Sequence, residues 1–327
     1  MTGRATIKRA IGSVALAPGV EARTRRSLRK RLNVVYLHYV GELRPYYADF
    51  YAGSSLEQLD ADLTKLGRYF EFCSLRELVA GAHRADAPRL AITFDDGFDL
   101  IENGAADVLD RHGVRATAFV VTSVLDNRGL MWRNKLSAIR ALAAASVYVP
   151  AYNALMERTG LPTIAAAAAL MPASEAWPTP SKDELADELW RACGLPPIDE
   201  FLLAERPYFS WDGLREWIAR GHEVGLHTHT HPFCSRLDAE GVEREIVEPA
   251  RLLRRRLDLG FLAFSYPFGD RLDAASEREM HARGVFDCAF GIEGFARRGT
   301  APFRLERACI EGELDYPVFG KALLGLP

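Results

Sequence analysis

The sequence predicts an α/β fold built on parallel strands. Short apolar, β-branched runs alternate with helical patterns along most of the chain, and three polar or glycine-containing clusters each follow directly on such a run. Size agrees with this: 327 residues, 48% of them apolar, suffice for one large core. A barrel of that length is routinely a single domain.

The first 32 residues carry many arginines and one apolar patch, Ile11 to Val20, which Gly12, Ser13, Pro18 and Gly19 interrupt. A secretory leader needs a continuous apolar stretch of roughly 7–15 residues. This segment is therefore expected to be a flexible basic tail ahead of a domain over residues 33–327, in a cytoplasmic protein. The first strand is predicted at Asn33–Val40, a β-branched and aromatic run. A helix over Ser55–Phe70 follows from the spacing of Leu56, Leu59, Leu63, Leu66 and Phe70, with Ser55 and Gln58 as a capping box. Leu90–Phe94 reads as a short strand, Asn103–His112 as a helix stopped by Gly113, and Ala116–Val121 as the next strand.

From about Asp126 to Pro207 the alternation lapses. This stretch is rich in alanine and proline, with one clear helix at Ser181–Cys193 capped by Ser181 and Glu184. It is expected to be an inserted helical segment that shapes the substrate cleft. Alternation resumes with a helix at Trp211–Arg220 closed by Gly221, then a strand at His222–Leu226. A helix kinked at Pro249 is predicted over Leu237–Leu257. A strand at Leu262–Tyr266, a helix at Ala275–Arg283, and late strands at Cys288–Phe290 and Arg307–Ile310 complete the series.

Lys and Arg number 41 against 44 Asp and Glu, a net charge of −3. That balance argues against nucleic acid or an anionic membrane surface as partner. No run reaches the ~18 apolar residues of a membrane span. The five cysteines, Cys73, Cys193, Cys234, Cys288 and Cys309, are far apart and form no C-x-x-C pair. They are expected to be buried free thiols of a reducing compartment.

The three clusters sit at predicted strand C-termini, where parallel barrels collect their chemistry. In the first, Asp95 and Asp96 are adjacent carboxylates pointing in different directions, so one can bind a metal while the other stays free. Gly97 lets the backbone turn sharply behind them. Taken alone, an Asp-Asp-Gly turn with solvated carboxylates would explain this cluster equally well. The second, His227-Thr228-His229-Thr230-His231, holds three of the eight histidines in five residues. Neutral imidazole is the commonest protein ligand for zinc. Residues four apart in an extended strand lie roughly 13 Å apart, so a His227/His231 pair requires the chain to curl after Leu226, whereas a His227/His229 pair fits a continuing strand. Pro232 ends regular pairing just beyond and favours the curl.

Thr93-Phe94-Asp95-Asp96-Gly97 and the run Gly221 to Pro232 together resemble the first two motifs of the polysaccharide deacetylases, carbohydrate esterase family 4. The resemblance extends from about Val34 to Ile310, outside the insertion. It implies a distorted (β/α) barrel of about seven parallel strands. It implies Asp95 as catalytic base, Asp96, His227 and His231 as ligands of a divalent metal, and an N-acetylated glycan as partner. Zinc is the ion expected for two histidines and one carboxylate with open positions. The third motif departs from the family's Arg-x-Pro-Tyr. Here it reads Ser265-Tyr266-Pro267-Phe268-Gly269, a form that resembles one branch of the family, and the Phe268 main-chain N–H would supply the oxyanion contact. The missing arginine leaves open what orients Asp95. Arg307 is a candidate, and an ordinary structural arginine is the plainer alternative.

The family's late Leu-x-x-His motif is not recognisable, and no histidine follows His281. His38, at the end of the first strand, resembles the acid histidine of a branch that deacetylates biofilm polysaccharide. It is expected to be the general acid, with a structural histidine at the barrel mouth as the plainer alternative. His83, His112 and His222 are expected to be structural, and Trp132 and Trp211 to fill cores more readily than to stack on sugars. The reaction implied is metal-dependent removal of an N-acetyl group from an amino sugar in a polysaccharide or oligosaccharide. The same residues would serve a small-molecule N-acyl amidase or deformylase, or a carbohydrate O-acetyl esterase. A glycan-binding barrel without activity is a further alternative, against which the complete set of carboxylates and histidines argues.

Overall fold

The computed structural model describes residues 3–47, 53–81, 87–312 and 314–326. The chain divides into two units, one of Met1–Gly41, Ser54–Thr122 and Phe209–Pro327, the other of Glu42–Gly53 and Ser123–Tyr208.

All the named strands lie in the first unit. They are β1 (Asn33–Leu37), β2 (Glu71–Phe72), β3 (Arg89–Phe94), β4 (Thr117–Val120), β5 (Glu223–Leu226), β6 (Ala263–Ser265), β7 (Cys288–Gly291), β8 (Leu305–Glu306) and β9 (Ala308–Cys309). The order β8-β7-β6-β5-β4-β3-β1-β9 runs round a nearly closed parallel barrel, with β2 paired to β3 off the ring. β8 pairs with β7 and β9 with β1, so one short run of chain joins the two ends of the sheet. Counting that run once gives seven strands in the ring. The strands are apolar on both faces (all five residues of β1 are buried, as are all four of β4), as expected where helices cover the outside of a parallel sheet.

Local sequence accounts for several helix starts. Ser55 accepts from the Gln58 N–H at 3.1 Å and opens the helix Leu56–Gly67, which buries Leu59, Leu63 and Leu66. The Gln58 side chain bonds Asp62 at 2.8 Å, so only half of the expected capping box forms. Asp273 caps Ala274–Ala282 through the Ala275 and Ser276 N–H groups. The helix predicted over Leu237–Leu257 is built in three parts, an α turn Ala239–Val242, a π turn Glu243–Val247 and an α-helix Glu248–Leu257. The disturbance falls before Pro249, whose missing N–H leaves the preceding turn without its i→i−4 bond.

Two helices, Gly3–Ala15 and Glu21–Leu28, stand where a flexible tail was expected. Packing explains it. Ala15, Thr24 and Leu28 are buried, the Thr24 hydroxyl donates to the Ala15 carbonyl at 2.9 Å, and Lys8 lies 5.3 Å from the Tyr316 ring. The second unit carries helices Trp132–Leu142, Ala145–Thr159, Leu170–Ser174, Lys182–Ala192 and Ile198–Glu205. Ser181 precedes the fourth without capping it, its hydroxyl turned toward the Pro178 carbonyl. Trp132, Trp177 and Tyr152 pack together inside this unit, with Tyr152 stacked on Trp177. No helix among the described residues is long and apolar enough to cross a membrane. All five cysteines are free. Cys73, Cys234 and Cys288 are buried, while Cys193 and Cys309 are half-buried. Burial pushes the Cys73 and Cys309 thiols up to about 12, far from reactive thiolates.

Candidate active site

β3 delivers two aspartates to the C-terminal mouth of the barrel. Asp96 adopts φ 73° and Gly97 φ 77°, so the chain turns abruptly at the strand end. A Cβ on Gly97 would lie 3.2 Å from the Val120 Cα, a tight contact at a backbone conformation that already favours glycine. The turn separates the carboxylates into two environments.

Asp95 is buried and held by Arg307, with Nη1 at 2.7 Å from Oδ1 and Nη2 at 2.8 Å from Oδ2. The arginine is fully buried in the barrel, bonded also to Thr93 and Ser265, with its guanidinium 4.7 Å from the Tyr36 ring and 5.0 Å from the Phe119 ring. Burial by itself would raise the Asp95 pKa. The Arg307 and His227 charges outweigh it and hold the carboxyl below its ordinary value. Arg307 sits between β8 and β9, and it makes the contact to Asp95 that the missing third-motif arginine left open.

Asp96 faces two imidazoles. Its Oδ1 lies 3.5 Å from His227 Nε2 and 3.3 Å from His231 Nε2. The curl after Leu226 makes this pairing geometrically available. Thr228 at φ 68° and His231 at φ 59° bend the segment back, and the His231 N–H donates to the Thr228 hydroxyl at 3.0 Å. His229 turns away and shares a hydrogen bond of 2.9 Å with Thr122. Of the eight non-glycine residues with positive φ among those described, Asp96, Thr228, His231 and Phe268 are at this site. A β-branched residue such as Thr228 is costly there, and such strain clusters where function demands a shape.

The triad fits a metal ion. Asp96, His227 and His231 each offer a ligand atom, and these atoms lie within 4.8 Å of one another. The two Asp96–His separations match the roughly 3.4 Å between neighbouring ligands of a tetrahedral ion with ~2.1 Å bonds. Asp96 Oδ1 is buried with no hydrogen-bond partner, a cost that a cation would remove. The His227 Nδ1–H donates to the Ser265 carbonyl at 2.8 Å, so Nε2 is the ring nitrogen turned toward Asp96. Burial raises the Asp96 pKa, but the two histidines outweigh it and hold the carboxyl well below its ordinary value.

His38 ends β1 level with Asp95, because the Asp95 N–H donates to the Leu37 carbonyl at 2.9 Å. Its Nδ1 lies 3.1 Å from Oε2 of Glu311, whose Oε1 accepts from the His38 main-chain N–H at 2.6 Å. Burial alone would lower the His38 pKa. The Glu311 carboxylate, with Asp96 and Asp95 behind it, raises it to about 9. Nothing local in the sequence marked Glu311. Phe268, at φ 59° in the turn Pro267–Gly269, stacks on Phe233 and meets the His231 ring edge-on.

The remaining histidines lie elsewhere. His112 bonds Asp60, His222 stacks on Trp217 and accepts the Ala116 N–H, and His281 packs on Phe303. His83 lies outside the described residues. Trp211 is buried beneath Arg256, so it is not a sugar platform.

No curated protein sequence matches this chain. Among solved structures it resembles Streptococcus pyogenes deacetylase PplD in complex with acetate, with a TM-score of 0.58 and 14% identity over 90% of this chain and 98% of that one. It also resembles IcaB from Ammonifex degensii, with a TM-score of 0.53 and 18% identity over 89% and 97%. A third is BC0361, a polysaccharide deacetylase from Bacillus cereus, with a TM-score of 0.55 and 13% identity over 89% and 68%. At such identities these likenesses speak to the fold. Residues 82–284 match the family described as polysaccharide deacetylase, a span that takes in β3 with Asp95 and Asp96, the curled segment after β5, and the turn at Phe268. The chain belongs to the polysaccharide deacetylase family.

Proposed function

We propose that the protein is a metal-dependent hydrolase that removes an N-acetyl group from an amino sugar of a polysaccharide or oligosaccharide. The observation that carries this reading is the pairing of a buried Asp96–His227–His231 triad with a second carboxylate, Asp95, held ionised beside it. A divalent cation, zinc on this donor set, supplies Lewis acidity toward the acyl oxygen and the attacking water. Asp95 takes the water's proton, and the two-pronged Arg307 contact keeps it charged and oriented. The Phe268 main-chain N–H donates to the acyl oxygen as it becomes negative. His38 gives a proton to the leaving amine nitrogen, with Glu311 fixing the ring through Nδ1. The likeness to the deacetylase PplD and the polysaccharide deacetylase BC0361 supports the same reaction class.

The test is acetate release from N-acetylglucosamine oligomers by the purified protein with zinc, then with chelator. Release that depends on the metal is expected. Full activity after exhaustive chelation, with no metal found by elemental analysis, would overturn the metal-dependent reading.

A further inference from the structure

Beside the ligand segment lies a second concavity, of about 440 Å³, whose walls include Thr122, His229, Arg244, Glu248, Arg251 and Arg255. His229 belongs to the curled run between the two metal-ligand histidines, so one wall of this cavity is the ligand segment itself. Its other wall is one stripe of helix, since positions 244, 248, 251 and 255 follow the i, i+4, i+7, i+11 spacing. The two walls are joined. Glu245, in the π turn that carries Arg244, accepts from the Thr230 N–H at 2.8 Å and from its hydroxyl at 2.9 Å.

Three guanidinium groups border this cavity against one carboxylate. Arg244 has only distant ion pairs, 3.9 Å to Glu240 and 4.0 Å to Glu245. Among the described residues, Arg251 and Arg255 make no ion pair within 4 Å. A solvated basic stripe that complements the helix C-terminus is the bland explanation. It covers Arg255, in the last turn, but neither Arg251 nor Arg244. Like charges gathered on a concave surface repel one another, and an anion between them relieves that repulsion.

The geometry points to an anion subsite, in which Arg244, Arg251 and Arg255 hold a phosphate or carboxylate carried on the substrate, on the same sugar as the acyl group or a neighbouring one. Arg presents a planar fork suited to either oxyanion. What the subsite serves rests on the deacetylase reading; its existence does not. The substrate class is therefore an acidic N-acetylated glycan.

The experiment uses the zinc-loaded Asp95→Asn protein, which retains probes without turnover. Binding is measured by calorimetry for neutral chitotetraose, a hyaluronan tetrasaccharide with its glucuronates, and chitotetraose bearing a 6-phosphate. At low salt the acidic probes should bind about 10-fold more tightly than the neutral one, and the gap should narrow in high salt as screening shortens. Arg251→Ala/Arg255→Ala should abolish the preference, and Arg251→Lys/Arg255→Lys should keep part of it, with unchanged melting in both. The larger of the two acidic effects identifies phosphate or carboxylate as the natural group. Equal affinity for all three probes overturns the subsite, as does a loss in the alanine variant that falls on all three alike. Charge-selective binding without acetate release by wild type from any probe overturns the deacetylase reading and leaves the subsite standing.

Discussion

Arg307 decides how Asp95 behaves. The carboxylate is buried, and the guanidinium 2.7–2.8 Å away is the largest influence that keeps it ionised. A depressed pKa means that the pair stabilises the fold above the ordinary carboxylate range, and that this contribution is lost as pH falls through the lowered value. Arg307→Met should therefore cost about 3–5 kcal/mol by stranding a buried charge. It should also move the acid limb of kcat/KM to higher pH, because the strongest opposition to burial is then gone. An unmoved acid limb would remove Arg307 from the mechanism. Asp95→Asn should lower kcat by roughly 10²–10⁴ while elemental analysis finds normal metal content. His38 shows the opposite sign. Its pKa is raised to about 9, so it is protonated at neutral pH and activity should fall as pH rises through that value. Glu311→Gln removes the charge that holds the proton, so the alkaline limb should move to lower pH. His38→Ala should collapse amide hydrolysis yet spare an activated ester, whose leaving group hardly needs protonation. Equal loss on both substrates would make His38 structural.

The elements that matter most are the curled run 227–231 and the three-part helix packed beside it. The run's geometry is strained at Thr228 and His231 and needs outside support. Glu245 gives that support through two hydrogen bonds to Thr230 and is itself buried. Removal of such an outer support typically costs 10–100-fold in metal affinity. Glu245→Ala should therefore weaken zinc binding by about 10-fold or more in a chelator competition, with kcat largely recovered at saturating zinc. Loss of kcat that saturating metal cannot restore would show that Glu245 acts on more than the ligand loop.

For the whole molecule, closure of the barrel and assembly of the site are the same event. Residues 305–309 close the ring, β8 to β7 and β9 to β1, and the residue between those strands is Arg307. Its contacts with Tyr36, Thr93, Phe119 and Ser265 tie β1, β3, β4 and β6 to that closure. Metal binding should then stabilise the closed state. At a hundredfold excess over Kd the gain is about 2.7 kcal/mol. For a unit of this size that corresponds to a rise in Tm of roughly 5–10 °C on zinc addition, measured by calorimetry. His227→Ala should abolish the rise; an identical rise in that variant would place the ion elsewhere.

Sequence by itself determined what depends on residue type and short spacing. Asp95, Asp96 and the histidine cluster 227–231 were legible as candidates because metal and proton chemistry admit few side chains, and because Phe94 and Leu226 end apolar runs long enough to read as strands. The same local logic anticipated Ser55 as a cap and placed β1 and β3 to β7. Tertiary structure decided the rest. β2 and β8 are two residues each, too short to carry a period, whereas β9 falls inside the strand expected at Arg307–Ile310. The helices at Gly3–Ala15 and Glu21–Leu28 depend on packing that a charge-rich segment does not advertise. Arg307 meets Asp95 across 212 positions, and Glu311 meets His38 across 273. No local pattern encodes such pairs, because only barrel closure brings the last strand beside the first. Which histidine faces Asp96 beside His227 was likewise decided by the positive φ of Thr228, a backbone cost that Glu245 and the Thr228 hydroxyl offset from outside any spacing rule.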